Sequence, residues 1–128
     1  MKELTKAEEE VMEYLWKLNK AFVKDILELF PEPKPAYTTV STIVRILERK
    51  GMVGFNAYGK NHEYYPLVTK KDYARLCFRH VLTKHYNSSW KKFASFFSSE
   101  EEVTLTDLEE IKKLIEEQIE QRKAKKDE

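Results

Sequence analysis

The feature that most constrains the fold is a change in the spacing of apolar residues at Gly51. Before this glycine, apolar residues recur every three or four positions, which is typical of helices with one buried side. After it come short segments rich in aromatic and β-branched residues, which are typical of strands. The pattern predicts three helices and then two strands: Thr5 to about Asn19, Phe22–Phe30, Ala36–Lys50, Met52–Tyr58 and Glu63–Leu67.

Local signals mark the ends of these elements. Thr5 and Glu8 have the spacing of a capping box, in which each side chain accepts a hydrogen bond from the other residue's backbone N–H. Three prolines within residues 31–35 stop the second helix, and Gly51 suits the left-handed residue that ends the third. A hairpin tipped by Gly59-Lys60-Asn61-His62 directly after a third helix has the form of a wing. The chain is therefore predicted to be mainly α, with a winged helix-turn-helix DNA-binding domain at residues 1–69.

The third predicted helix has a pattern suited to reading a DNA groove. One side is apolar, and the opposite side carries short hydroxyl residues interleaved with Arg45 and Arg49. Ser and Thr bond phosphates or base edges without bulk, and Arg reaches either a guanine or a phosphate. The alternative is an ordinary solvated face, but such faces favour Glu, Lys and Gln, which are better helix formers. The predicted DNA-binding residues are Lys34, Tyr37, Thr38, Thr39, Ser41, Thr42, Arg45, Arg49 and Lys60.

Charge is unevenly distributed along the chain, although the net charge is only +1. Residues 34–62 carry a net charge of +4, residues 70–92 carry +6, and residues 98–121 carry −7. Local clusters of cations, rather than the total charge, decide which surface meets a phosphate backbone. The middle of the chain is therefore the part expected to bind DNA.

Residues 70–128 are predicted to form a helical dimerisation region. Amphipathic helices are expected at Lys70–His85, Ser88–Phe97 and Leu105–Lys125. Because the upstream segment supplies its own core, the apolar sides of these helices need a partner, and a second copy of the tail is the simplest one. Two-fold pairing presents two DNA-binding domains to a palindromic operator. The predicted dimerisation residues are Tyr73, Val81, Trp90, Phe93, Phe97, Leu108, Ile111 and Ile115.

Composition argues against several classes of function. A chain of 128 residues with three glycines and no Ser, His and acid grouping offers neither a Gly-rich phosphate loop nor a nucleophilic site, so no enzyme and no cofactor are expected. Cys77 and His80 are too few for a closed zinc site, and a core cysteine beside a partly buried histidine is expected instead. The single cysteine, the amino terminus without an apolar stretch and the lack of a run of about 20 apolar residues indicate a cytoplasmic protein that does not insert into a membrane.

Three segments resemble a known family of repressors. The run KPAYTTVSTIVRILERKG at residues 34–51, with LTKAE at 4–8 and HEYYPL at 62–67, resembles the penicillinase and methicillin-resistance repressor family. The resemblance implies a homodimeric winged-helix repressor of an antibiotic-resistance operon. It also implies a pathway in which a membrane sensor of β-lactams triggers proteolysis of the tail at an Asn-Phe bond. The matching positions are Phe96 and Phe97, so the asparagine is absent here.

Two alternatives remain open from the sequence. The aromatic residues of the tail could line a small-molecule pocket, which describes a ligand-sensing winged-helix regulator. A winged-helix adaptor between proteins is the other alternative, but an adaptor does not need Arg45, Arg49 and Lys60 on one surface.

The sequence also departs from the family at two further points. Ile46 stands where many family members carry an arginine, and the cysteine-rich tail of the copper-responsive relatives is absent.

Overall fold

The computed structural model describes residues 3–126, which contain six helices and one two-stranded sheet. The order of these elements and the mainly helical content confirm the predicted fold class, a winged helix-turn-helix followed by further helices. The elements are α1 (Lys6–Leu18), α2 (Val23–Leu29), α3 (Tyr37–Arg49), β1 (Val53–Tyr58), β2 (Asn61–Pro66), α4 (Lys70–Tyr86), α5 (Trp90–Ser98) and α6 (Leu105–Lys126).

The helix ends follow the signals in the sequence. At the start of α1, the Thr5 amide donates to Glu8 Oε1 at 3.0 Å and the Glu8 amide donates to Thr5 Oγ1 at 3.2 Å, which completes the capping box. At the end of α3, the Met52 amide donates to the Leu47 carbonyl at 2.9 Å, across Gly51 with a φ of 79°. This bond closes a helix through a left-handed residue, so the chain turns directly from α3 into β1.

One cluster of buried residues joins the first three helices to the hairpin. Burial of apolar surface stabilises a fold by roughly 25 cal/mol per Å², so this cluster fixes how α3 sits against α1 and α2. At the start of α1, Glu8 is buried, whereas the neighbouring Ala7 is exposed. The fully buried members are Val11, Met12, Leu15, Ile26, Val40, Val44, Leu47, Met52 and Val53.

The hairpin is antiparallel, with Tyr58 opposite Asn61 at its tip. Its turn has only two residues, Gly59 and Lys60, so the prediction of a four-residue tip is wrong, and the second strand begins at Asn61 rather than at Glu63. Gly59 has a φ of 64°, the positive value that a two-residue hairpin turn needs at its first position. Lys60 is exposed at the end of the wing.

The hairpin is anchored to the helices at two points. Ala21, between α1 and α2, exchanges both backbone hydrogen bonds with Tyr64 of β2, at 2.8 and 2.9 Å. Beyond β2, the indole N–H of Trp16 donates to the Val68 carbonyl at 2.8 Å. Because β2 is bonded to β1 on one edge and to Ala21 on the other, the wing is an integral part of the domain.

The chain divides into two compact units, and the boundary lies inside α4, between Phe78 and Arg79. The first unit thus extends beyond the predicted domain end at residue 69 into the first half of α4. The second unit contains the rest of α4 together with α5 and α6. Ser89 caps α5 by accepting from the Lys92 amide at 3.2 Å, so that helix begins at Trp90. Within residues 3–126, no helix combines the length and apolar character needed to cross a bilayer.

Candidate nucleic-acid interface

The exposed side of α3 carries polar side chains opposite the core. At 100° per residue, Thr38, Thr42 and Arg49 lie within about 40° of one another around the helix axis, and all three are exposed. We call these residues the outer row. Thr39 is also exposed but lies farther around the helix. The outer row is therefore the part of α3 most directly opposed to the buried cluster.

The hydroxyl of Thr42 has a fixed partner. Its Oγ1 donates to the Thr38 carbonyl one turn earlier, at 2.9 Å. This bond uses the hydroxyl hydrogen and leaves the oxygen lone pairs as acceptors. Thr42 consequently presents an acceptor and a methyl group on the exposed side, whereas Arg49 presents only donors.

A second row of residues on α3 lines a cleft of about 380 Å³. Tyr37, Ser41 and Arg45 follow one another at intervals of one helical turn on this side of the helix. Together with Lys60, they bring four of the nine predicted DNA-binding residues to one place. We call this cleft, between α3, the wing and the start of α2, the wing cleft. Its other lining residues are Phe22, Val23, Lys24, Asn61, His62 and Tyr64.

Aromatic rings stiffen the wing beside this cleft. The rings of Phe55 and His62 are stacked, with centroids 4.2 Å apart and 10° between their planes. Tyr64 is buried, and burial, followed by the charge of Glu48, raises the pKa of its phenol despite the opposing charge of Arg45. The wall of the cleft at Tyr64 is thus a neutral phenol at neutral pH.

Two cations near α3 are engaged within the protein. Lys34 Nζ donates to the Phe30 and Glu28 carbonyls at 2.6 and 2.8 Å, so this side chain caps the carboxyl end of α2. Lys50 Nζ donates to the carboxylate of Glu8 at the start of α1. Because the ammonium of Lys34 caps α2, we do not place Lys34 in the interface, although its position in the sequence predicted a DNA contact.

The likeness to known proteins covers nearly the whole chain, since the profile of the family "Penicillinase repressor" matches residues 4–117. The chain belongs to the penicillinase repressor family. It is therefore a repressor and not an enzyme, as the sequence predicted.

Relatives of this repressor include the methicillin resistance regulatory protein MecI of Staphylococcus aureus (strain N315) and that of Staphylococcus epidermidis. Each is 25% identical over 114 residues, which is 88% of this chain and 93% of the relative. MecI of Mammaliicoccus sciuri is 24% identical over the same length. A solution structure of the DNA binding domain of the repressor BlaI matches 57% of this chain and 94% of its own, with 25% identity and a TM-score of 0.49.

Most of the predicted dimerisation residues of this repressor lie on solvent-accessible parts of the second unit. An apolar groove of about 460 Å³ runs between α5 and α6, and Phe97, Leu108, Ile111 and Ile115 line it. A further apolar surface continues along α6 past Ile115. Val81, Trp90 and Ile115 are exposed, and Phe93, Phe97, Leu108 and Ile111 are half-buried.

Tyr73, which was also predicted at the dimer interface, packs inside the first unit. Its ring lies 6.0 Å from that of Trp16, and its hydroxyl donates to Glu9 Oε2 at 3.1 Å. Burial raises the pKa of Tyr73, and hydrogen bonds with Cys77 and Glu9 raise it further. Because Tyr73 packs inside the first unit in this way, we leave it out of the dimer surface.

Cys77 is only half-buried and His80 is exposed, so the expectation of a core cysteine beside a partly buried histidine is wrong.

The bond between Phe96 and Phe97, the possible cleavage site predicted from the resemblance, lies inside α5. The ring of Phe96 lies 5.8 Å from that of Tyr86. Proteases cut exposed, flexible segments most readily, so cleavage at this bond requires that part of α5 to open. Among residues 3–126, no group of three or more His, Cys, Asp or Glu side chains is placed to hold a metal ion.

Lys24 lines the wing cleft but was not among the predicted residues. It is an exposed lysine in the first turn of a short amphipathic helix, and most such lysines are only solvated. Its spacing along the chain carries no signal, because its neighbours in the cleft come from α3 and the wing.

Proposed function

We propose that this repressor binds a palindromic DNA operator as a homodimer, with α3 in the major groove and the wing beside the backbone. The outer row of α3 carries the proposal. It consists of small hydroxyls and an arginine, opposite a fully buried side and next to a wing that ends in an exposed lysine. A helix of about 10–12 Å diameter fits a major groove that is about 12 Å wide.

The outer row can distinguish base pairs through complementary chemistry. Thr42 offers an acceptor, which suits the amino groups of adenine or cytosine, and its methyl group suits the methyl of thymine. Arg49 offers a pair of donors, which suits the two acceptors of guanine. Since both side chains lie on one side of α3, they can reach different base pairs in a single groove.

The second unit supports pairing of two copies. Leu114, Ile115 and Ile119 of α6 are exposed at 63%, 52% and 46%, and Trp90 of α5 is exposed at 63%. An apolar surface of this kind, which is continuous along α6, marks an interaction site. A second copy of the same surface would cover it, and two-fold pairing is the commonest arrangement of homo-oligomers.

Selection of bound duplexes from a random pool with the full-length protein tests this function. The expected product is a palindrome whose half-sites are about 10 base pairs apart, or a multiple of that distance. On the selected duplex, Arg49→Ala and Thr42→Val are each expected to lose roughly 1–3 kcal/mol of binding free energy, and much less on a random duplex.

Lys17→Ala is the matched control, because Lys17 is exposed on α1 and does not line the wing cleft. Equal losses on the selected and the random duplex would show that Arg49 or Thr42 contacts phosphate rather than bases. If no sequence is enriched, the adaptor function becomes the better explanation of the fold.

A further inference from the structure

Three cations from three different elements meet at the wing cleft. Lys24 comes from α2, Arg45 from α3 and Lys60 from the wing turn. Among the residues that the structure describes, none that lines the cleft is acidic. Three positive charges without a carboxylate among them repel one another unless an anion lies between them.

The other polar residues of the cleft add hydrogen-bond donors. Ser41 and Tyr37 contribute hydroxyls, and Asn61 contributes an amide. A group that carries negative charge on several oxygens satisfies such a set better than a base edge does, since a base edge presents donors as well as acceptors.

The size and position of the cleft point to a segment of nucleic-acid backbone. Its volume of about 380 Å³ lies near the lower end of the range for small-ligand sites, roughly 300–1,000 Å³. A duplex cannot enter this space, but one phosphodiester can. The cleft also lies beside the outer row, so a backbone strand can reach it while α3 occupies the groove.

We propose that the wing cleft binds one backbone phosphate of the operator in each subunit, held by Lys24, Arg45 and Lys60. The proposal rests on the proposed function and divides the work of α3 between its two rows. Arg45 shares its row with Tyr37 and Ser41 and holds the backbone. The outer row, whose centre lies about 80° around the helix from the centre of this row, reads the bases. Phosphate contacts of this kind set the register of a protein on DNA without selecting a sequence.

Neutralising single phosphates tests this assignment. A methylphosphonate, which lacks the phosphate charge, is placed at each backbone position of the selected duplex in turn. Full-length wild type, Lys24→Gln, Lys60→Gln and the control Lys17→Gln are titrated against each duplex. On the unmodified duplex, Lys24→Gln is expected to weaken binding about tenfold, the usual effect of losing a hydrogen bond to a charged group.

At one backbone position per half-site, the methylphosphonate is expected to weaken wild type and to abolish the difference between wild type and Lys24→Gln. Lys60→Gln is expected to lose its effect at the same position, because both cations hold the same phosphate. Lys17→Gln is expected to match wild type on every duplex. The proposal is overturned if Lys24→Gln binds as tightly as wild type, or if Lys24 and Lys60 respond to different positions.

A free phosphate compound is the other source of the same chemistry. Titration of the free protein with inorganic phosphate at constant ionic strength distinguishes a site for a free phosphate compound from a site for a backbone phosphate of DNA. If inorganic phosphate binds and Lys24→Gln abolishes that binding while leaving DNA affinity intact, the cleft serves a small ligand and the backbone assignment is wrong. If no duplex is selected at all, the proposed function itself fails.

Discussion

Glu8 is a carboxylate with only 5% of its surface exposed. It accepts hydrogen bonds from the Lys50 ammonium and from the Thr5 amide, and the Lys50 side chain is itself only 20% exposed. Lys50 also donates to the Glu3 carbonyl at 3.3 Å. A charge is withdrawn from water only when such partners compensate it. Through this pair, the carboxyl end of α3 is fastened to the start of α1.

Glu8→Gln is expected to lower the free energy of unfolding by about 2 kcal/mol, because the Lys50 ammonium is then left partly buried without its counter-charge. Lys50→Met is expected to have a similar effect. The double variant is expected to lose less than the sum, since neither charge remains alone. Urea unfolding of the four proteins measures the coupling, and strictly additive losses would contradict it.

The same pair is expected to make stability depend on pH. Burial by itself would raise the pKa of Glu8, but the hydrogen bonds from Lys50 and Thr5, together with the Lys50 charge, outweigh burial and lower that pKa below its ordinary value of 4.5. A carboxyl of this kind stabilises the fold above its unfolded pKa, and the contribution is lost as pH falls through the folded pKa. The stability advantage of wild type over Glu8→Gln should therefore shrink below about pH 4.5. Unfolding curves across that range measure it, and a difference that does not change with pH would argue against the pair.

At the scale of elements, the helix ends could be predicted because their signals are local. α1 and α3 each begin and end within one residue of the expected positions. The capping box of Thr5 to Glu8 spans four residues, and Gly51 adjoins the end of α3. The wing turn was predicted two residues too long, because Asn61 and His62 are poor strand formers by composition. In the structure Asn61 pairs with Tyr58 and His62 pairs with Ala57, so Asn61 and His62 both belong to β2. Such pairing depends on the partner strand.

The turn of the wing is expected to be essential for its contact with DNA. Gly59→Val places a β-branched residue at a φ of 64°, which costs roughly 1–2 kcal/mol and disturbs the turn that carries Lys60. Urea unfolding and DNA titration should show a modest loss of stability and a clear loss of affinity. Ala57→Val, at an exposed position of β1, should change neither. If Gly59→Val binds DNA normally, the wing tip does not contact the backbone.

At the scale of the whole molecule, the sequence could not show which distant residues meet. Glu8 and Lys50 are 42 positions apart, and neither position alone distinguishes a buried pair from two solvated charges. Lys24 became a candidate only because it lines the wing cleft together with Arg45 and Lys60, which come from other elements. Lys34 is the opposite case. It was expected to contact DNA, but its ammonium caps the carboxyl end of α2. Charge along the chain therefore indicated the region of the wing cleft, but it could not show which cations are engaged elsewhere in the protein.

The apolar surface of the second unit leads to a prediction about assembly. Ile115→Asp is expected to raise the dissociation constant of the dimer about a hundredfold or more, because it places an unpaired carboxylate in an interface that excludes water. Sedimentation of the full-length protein measures this constant.

Leu67→Asp is the matched control for that experiment. Leu67 is 56% exposed but belongs to the first unit, so its replacement should leave the dimer intact. A wild type that sediments as a monomer, or an Ile115→Asp protein that remains dimeric, would mean that α6 is not the pairing surface.

The two backbone bonds between Ala21 and Tyr64 make the motion of the wing measurable at a residue outside it. An amide hydrogen exchanges with solvent when its hydrogen bond opens. Because each residue donates to the carbonyl of the other, detachment of β2 frees both amides in one event. After correction for intrinsic rates, the two should exchange together. Ala21 does not line the wing cleft. Slower exchange at its amide on addition of DNA would therefore show that bound DNA keeps β2 attached to Ala21, without any probe in the interface.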